Sequence, residues 1–193
     1  MRKDFGAKVC MTLILASSSP RRRELLTREG VDFIVKPSPI EEMPPNSREP
    51  EQLARENALL KAVDVFDKQT KGVVLGADTV VVIDGHTLGK PGDLEEAAEM
   101  LRRLSGRWHE VVTGVALVSA GEVKVFHETT QVRFQELSEE DISAYHSEVE
   151  VLDKAGGYAI QEGGERIIAE VKGCRDNVMG LPVERVLIEL ELF

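Results

Sequence analysis

The stretch Leu13 to Arg23, LILASSSPRRR, constrains this chain more than any other. Leu13, Ile14 and Leu15 form a short apolar run of the kind a buried strand uses. Ala16, Ser17, Ser18 and Ser19 then make a small-residue turn. Ser19 suits an N-cap and Pro20 the first helical position. Glu24, Leu25, Leu26 and Arg28 continue the helix, and Gly30 is placed to end it. The charge is unusual. A helix N-terminus carries partial positive charge and favours acidic residues in its first turn. Here Arg21, Arg22 and Arg23 occupy that turn. An anion would resolve the conflict, because free backbone N–H groups at a helix start suit a phosphate. Taken alone, the stretch leaves a solvated basic turn equally open.

The whole-chain charge sharpens the point. The net charge is −10 over 193 residues, so the surface as a whole repels nucleic acid and anionic membrane. An anionic ligand must rely on a local basic cluster. No basic stripe is present and Trp108 is the sole tryptophan, so neither a nucleic-acid groove nor a stacking platform is expected. Cys10 and Cys174 have no metal-ligand spacing. They read as two reduced thiols of a cytoplasmic protein. No run reaches membrane-spanning length. Residues 1–10 lack an apolar signal core and read as an extension ahead of one domain over 11–193.

Further along, Val31 to Lys36 reads as a second strand. The proline-rich stretch Pro37 to Pro50 reads as an irregular loop carrying Glu41 and Glu42. A long helix is expected from about Ser47 to Lys68, with Asn57 and Lys61 one turn apart on one face. Gly72 to Ile83 has the apolar density of a core strand, interrupted by Asp78 and Thr79. An aspartate in such a run is costly to bury without a partner, and a metal, a cation or a reacting water would supply one. Asp84-Gly85 predicts a tight hairpin. The returning strand His86 to Gly89 delivers Lys90, and Asp93 caps the next helix. Val111 to Ser119 reads as a strand. Val123 and Val125 fall on odd positions, Val132 and Phe134 on even ones, which predicts a bulge or a break between them. Ser138 with Asp141 caps a short helix. Lys154 to Gln161 reads as a glycine-led strand, Arg166 to Val171 as another, and Asp176-Asn177 as loop. Pro182 opens the last helix. His86, His109, His127 and His146 are scattered and read as structural.

Without reference to any family, the chain offers a basic helix start, acidic loop residues, two lysines on rigid elements and an aspartate in a core strand. Cations with carboxylates suit a polyphosphate and a divalent metal. No Walker A pattern or kinase signature set occurs, which excludes phosphoryl transfer by those routes.

Six pieces, standing in order from about Leu13 to Val186, carry a resemblance. They are LILASSSPRRRELL, IEE at Ile40 to Glu42, LGADTVV from Leu75, LGKPGDLEEAAEMLRRLSGRWHEVVTG from Leu88, DKAGGYAIQ from Asp153 and NVMGLPVERV from Asn177. Together they resemble the Maf family of nucleoside triphosphate pyrophosphatases. That resemblance implies a mixed α/β (α+β) fold, elongated, with two lobes around a central cleft as in the inosine triphosphate hydrolases. It implies cleavage of a nucleoside triphosphate to the monophosphate and pyrophosphate with a divalent cation, Mg2+ or Mn2+.

The resemblance also implies roles. Asp78 matches the acceptor of the attacking water's proton. Ser17, Ser19, Arg21 and Arg22 match the phosphate-binding turn. Glu41, Lys61 and Lys90 match the other active-site charges, with Glu41 and Asp78 as metal ligands. Arg21, Thr79 and Gln161 match positions that set base specificity. The sequence around Tyr158 to Gln161 resembles the members acting on dTTP and UTP, and the Gln161 amide offers the donor and acceptor that a uracil edge requires. A 7-methyl-GTP specificity and a nucleotide-binding regulator of septum formation without turnover are the alternatives. A homodimer is the base-rate expectation.

Overall fold

The computed structural model describes residues 12–44, 48–66 and 71–193. The expected extension over residues 1–10 lies outside them. The apolar run at the start forms β1 (Thr12–Leu15), and α1 (Pro20–Arg28) follows at once. β2 (Phe33–Val35) lies parallel to β1 on its outer edge. α2 (Pro50–Val65) is the long helix; Ser47 and Lys68, its expected limits, are outside the described residues. β3 (Gly72–Ile83) runs parallel to β1. It turns at Asp84 and Gly85, both at positive φ, and β4 (His86–Leu88) returns along its end. α3 (Leu94–Leu104) is capped by Asp93, whose side chain accepts from the Glu96 N–H. β5 (Trp108–Val118) and β6 (Val123–Phe134) extend the sheet antiparallel to β3. α4 (Glu139–Glu148) begins with the Ser138–Asp141 capping box. α5 (Gly164–Ile167), β7 (Ile168–Lys172), α6 (Arg175–Met179) and α7 (Val183–Glu191) complete the chain.

Among the described residues the result is a mixed sheet of seven strands in the order β2-β1-β3-β5-β6-β7, with β4 also paired to β3. β5 occupies one edge of β3 from Val74 to Val82. On the other edge β1 covers Gly72 to Leu75 and β4 covers Val81 to Ile83. Neither pairs with β3 between Gly76 and Val80. The sheet forks there, and Asp78 and Thr79 stand at the fork.

Strand alternation then sends neighbouring side chains to opposite faces. Val74, Val80 and Val82 pack under α2 with Ala58, Ala62, Leu53 and Ala54. Val73, Leu75 and Ala77 pack against Leu25, Leu26 and Leu181. Val81 and Ile83 join a separate cluster with Ala97, Leu101 and Tyr145. The core is thus divided at the level of the fork. Two glycines let α2 lie directly on the strands. A Cβ on Gly76 would stand 2.2 Å from the Ala58 carbonyl oxygen, and one on Gly114 would stand 2.2 Å from that of Ala54.

Several sequence expectations give way to tertiary context. β6 pairs with β5 in unbroken register from Val123 to Arg133, so the expected bulge or break is absent there. Both faces of this part of the sheet carry apolar cover: Val125 packs beside the α2 cluster, and Val132 and Phe134 pack in the α3–α4 cluster. The irregularity lies instead between β6 and β7, at Arg133/Phe134. Lys154 to Gln161 is not a strand. It makes one 3-10 turn at Ala155–Gly157 and then runs without ladder pairing. Asp176-Asn177, expected as loop, lies inside α6, and the strand expected from Arg166 begins at Ile168, after α5.

Candidate active site

A cleft of about 460 Å3 opens at the fork. Its floor is Asp78 and Thr79, and one wall is the turn from Ala16 to Arg22. Lys61, Lys90, Asp153 and Gln161 also line it.

Asp78 faces α2 and is 4 % exposed. Its Oδ1 accepts from Lys61 Nζ at 2.7 Å and its Oδ2 from Asn57 Nδ2 at 3.0 Å. The one-turn spacing of Asn57 and Lys61, together with the glycine-permitted approach of α2, delivers two donors to one carboxylate. Lys61 Nζ also donates to Glu42 Oε1 at 2.7 Å, and Lys90 Nζ lies 3.4 Å from the same oxygen. Partial burial works against ionisation of Glu42, but Lys61 and Lys90 outweigh it and hold its carboxyl down at about 2. Asp78 and Glu42 therefore share one ammonium group, a negative–positive–negative arrangement on the cleft floor.

Thr79 faces the opposite side and belongs to a different network. Arg22 is buried, and no carboxylate among the described residues bonds it. Its Nε donates to the Gly180 carbonyl at 2.8 Å, one terminal nitrogen to Ser17 Oγ at 3.0 Å, and the other to Thr79 Oγ1 at 3.2 Å. Burial pulls its guanidinium below the ordinary value, and the charges of Asp78 and Glu42 oppose that pull. Thr79 and Thr113 hydroxyls lie 2.9 Å apart, and Thr113 donates to the Asn177 carbonyl at 3.0 Å. The Thr79 proton therefore points to Thr113. Arg22 is a clamp that ties the start of α1 to β3 and to the end of α6.

The three arginines of the basic turn part company. Arg22 is internal, Arg21 lies on the cleft wall with its guanidinium 3.0 Å from Asp153, and Arg23 is exposed outside the cleft. Ser19 is the N-cap of α1 but its side chain caps nothing. Instead its N–H donates to Ser17 Oγ at 3.2 Å. The helix start thus has no acidic neighbour in its first turn and faces the cleft.

Gln161 is exposed at the cleft's far side. The segment carrying it is fixed from behind. Gly156 and Gly157, with φ of 72° and 69°, turn it sharply, and Tyr145 Oη accepts the Ala159 N–H at 2.9 Å. Burial raises the Tyr158 hydroxyl, which stays protonated, and pushes His109 down to about 4. The Tyr158 hydroxyl and the neutral His109 Nε2 share a hydrogen bond of 2.7 Å. Ile160, Val81, Val111 and Met179 make this end of the cleft apolar.

Of the residues singled out from sequence, the fold brings Ser17, Ser19, Arg21, Arg22, Lys61, Asp78, Thr79, Lys90 and Gln161 to one cleft. Glu41 is the exception. It is exposed and does not line the cleft, while its neighbour Glu42 does. In an extended loop, adjacent side chains point apart, and the sequence pair Glu41-Glu42 carried no signal as to which points inward. Sequence reasoning also missed Asp153. It set Asn57 and Lys61 on one helix face without giving Asn57 a partner, whereas both hold Asp78.

The fold and cleft define the class: an α/β protein whose forked sheet gathers lysine and arginine side chains around a pair of carboxylates. Comparison with known proteins names the group. The model of the family described as Maf-like protein matches residues 12–193, and the chain belongs to that family. A protein of Akkermansia muciniphila named dTTP/UTP pyrophosphatase is 50 % identical over 175 residues, 91 % of this chain and 93 % of the relative. Proteins of the same name from Symbiobacterium thermophilum and Ruminiclostridium cellulolyticum are 49 % and 46 % identical. They span 94 % and 90 % of this chain, and 93 % and 92 % of their own lengths. No helix among the described residues is long and apolar enough to cross a membrane.

Proposed function

We propose that the protein is a nucleoside triphosphate pyrophosphatase acting on dTTP and UTP. The observation that carries the reading is Asp78: a buried carboxylate at the fork of the sheet, both oxygens held by donors, in a cleft lined with cations. The names of the relatives support the substrates.

In this reading the triphosphate lies along the wall formed by Ser17 to Arg22 and reaches Lys90. The α1 N-terminus and Arg21 receive phosphate oxygens, and Arg21 leaves Asp153 to do so. Arg22 acts indirectly, by fixing the turn. Water attacks the α-phosphorus, the bond from that phosphorus to the bridging oxygen breaks, and pyrophosphate departs. Asp78 accepts the proton of the water, for which an ionised carboxylate within reach suffices. Lys61 holds the Asp78 carboxylate in place, and Lys90 offsets charge on the departing group. The apolar end of the cleft takes the base, and Gln161 meets its edge with one donor and one acceptor. Arg21, Thr79 and Gln161 are the proposed specificity positions.

The residues present fit a divalent metal. Among the described residues no three His, Cys, Asp or Glu side chains converge into an all-protein cage. Two carboxylates do converge, and a magnesium or manganese ion takes one or two carboxylates with phosphate oxygens as its remaining ligands. Glu42 and Asp78 would hold it, in place of the expected Glu41 and Asp78. When bound it supplies charge neutralisation at the phosphates. We extend the proposal to one catalytic domain over 11–193 with residues 1–10 as an extension, in a cytoplasmic protein that pairs as a homodimer.

The test is product analysis by chromatography with dTTP, UTP, CTP, GTP and 7-methyl-GTP and Mg2+ or Mn2+. Monophosphate and pyrophosphate from dTTP and UTP are expected. Turnover of 7-methyl-GTP alone would overturn the base assignment, and binding without turnover would overturn the enzyme.

A further inference from the structure

We infer that Asn57 is a positioning residue of this site, a single buried amide that sets both the acidic loop carrying Glu42 and the second oxygen of Asp78. The inference rests on the functional reading above. Asn57 is 3 % exposed. Its Oδ1 accepts the Met43 N–H at 2.8 Å, and its Nδ2 reaches the Met43 carbonyl at 3.4 Å and Asp78 Oδ2 at 3.0 Å. An amide offers two donors and one acceptor oxygen, and here both donors and the oxygen are committed.

The partners distinguish Asn57 from a core asparagine that merely satisfies itself. Met43 belongs to a stretch with no ladder pairing. The Asn57 amide occupies its N–H and C=O together, as an adjacent strand would. Glu42, the preceding residue, is held through its side chain by Lys61. The loop is therefore fixed at two successive residues by two side chains one helical turn apart. The same two side chains take one oxygen each of Asp78. With both donors in place the plane of the carboxylate is set. With Lys61 alone, the carboxylate rotates about its last bond and Oδ2 leaves its place. Loss of Asn57 also releases the backbone that aims Glu42 into the cleft.

The test uses the full chain with Asn57→Leu, which keeps the branching without the polar atoms, and Asn57→Ser, which is small and polar should the first variant not fold. Circular dichroism establishes folding. Steady-state kinetics on dTTP with Mn2+ and hydrogen exchange at the Met43 amide are then compared with wild type. The expected result is kcat lower on the order of 10²-fold, as for a reacting group displaced by about 1 Å. KM should stay within about threefold, because Arg21 and Lys90 are untouched. The Met43 amide should exchange at least about tenfold faster. Wild-type kcat in a folded variant, a loss confined to KM, or an unchanged Met43 amide would each overturn the inference. Absence of turnover in the wild-type protein would refute the functional reading instead, and the Met43 exchange would still decide whether Asn57 holds the loop.

Discussion

Gly114→Ala should damage the site without touching any residue in it. Gly114 pairs with Asp78 across β3 and β5. Its missing side chain is where α2 rests: an added Cβ would lie 2.2 Å from both Ala54 C and O and 2.5 Å from Arg55 N. A methyl carbon approaches a carbonyl oxygen to about 3.3 Å, so α2 must retreat by about 1 Å. The clash is with backbone, and no side-chain rotation relieves it. Overpacking of this kind costs about 3 kcal/mol, at the upper end for one extra methyl. At this chain length that lowers Tm by roughly 6–12 °C. The same retreat stretches the Asn57 and Lys61 contacts to Asp78, now 3.0 and 2.7 Å, towards about 4 Å, beyond hydrogen-bonding range. Turnover of dTTP should fall on the order of 10²-fold. Thermal melts and steady-state kinetics would be run beside Gly121→Ala, where a Cβ meets nothing within 4 Å. If Gly114→Ala melts with wild type and keeps its kcat, the argument that glycine sets the helix-to-sheet distance is wrong.

Three further outcomes follow from the geometry. Glu42→Gln should lower kcat by more than about tenfold, while Glu41→Gln stays within about twofold; equal effects would reverse the choice between the two. Arg22→Lys keeps the charge but not the fork that serves Gly180, Ser17 and Thr79, and urea titration should show a loss of about 3 kcal/mol. A loss below about 0.5 kcal/mol would refute the clamp. His109 falls from 6.5 to about 4 on folding, so the unfolded chain binds the proton first as pH drops. Stability from this group is complete above about 6.5 and declines down to about 4, by about 2 kcal/mol at pH 5. His109→Gln, measured by urea titration at pH 7 and pH 5, should remove that share of the decline, and an unchanged decline would refute it.

How far the sequence could be read differs between elements for physical reasons. The opening strand, turn and helix, the Asp84-Gly85 hairpin and the Ser138 capping box were legible because their signals are local. Turn chemistry and caps depend on neighbours in sequence. The segment Lys154 to Gln161 was misread because its glycines serve positive φ and a close approach to Val81, which are properties of its surroundings. The continuous β6 was misread because one alternation pattern cannot reveal that both faces of a sheet carry apolar cover.

The site divides in the same way. By itself the sequence determined which chemistry the chain carries: a basic helix start, an aspartate in a core strand, and the lysines and acidic residues to accompany it. The motif order also marked its family. Only the tertiary structure decided which of these groups meet. It chose Glu42 over Glu41, turned Arg22 inward as a clamp and left Arg21 to the cleft. It placed Asn57 and Lys61 on opposite oxygens of Asp78. These choices depend on strand alternation at the fork of β3 and on the distance of α2 from the sheet. That distance is set by Gly76 and Gly114, which lie far from their contacts in sequence and gain meaning only when the helix is laid across them.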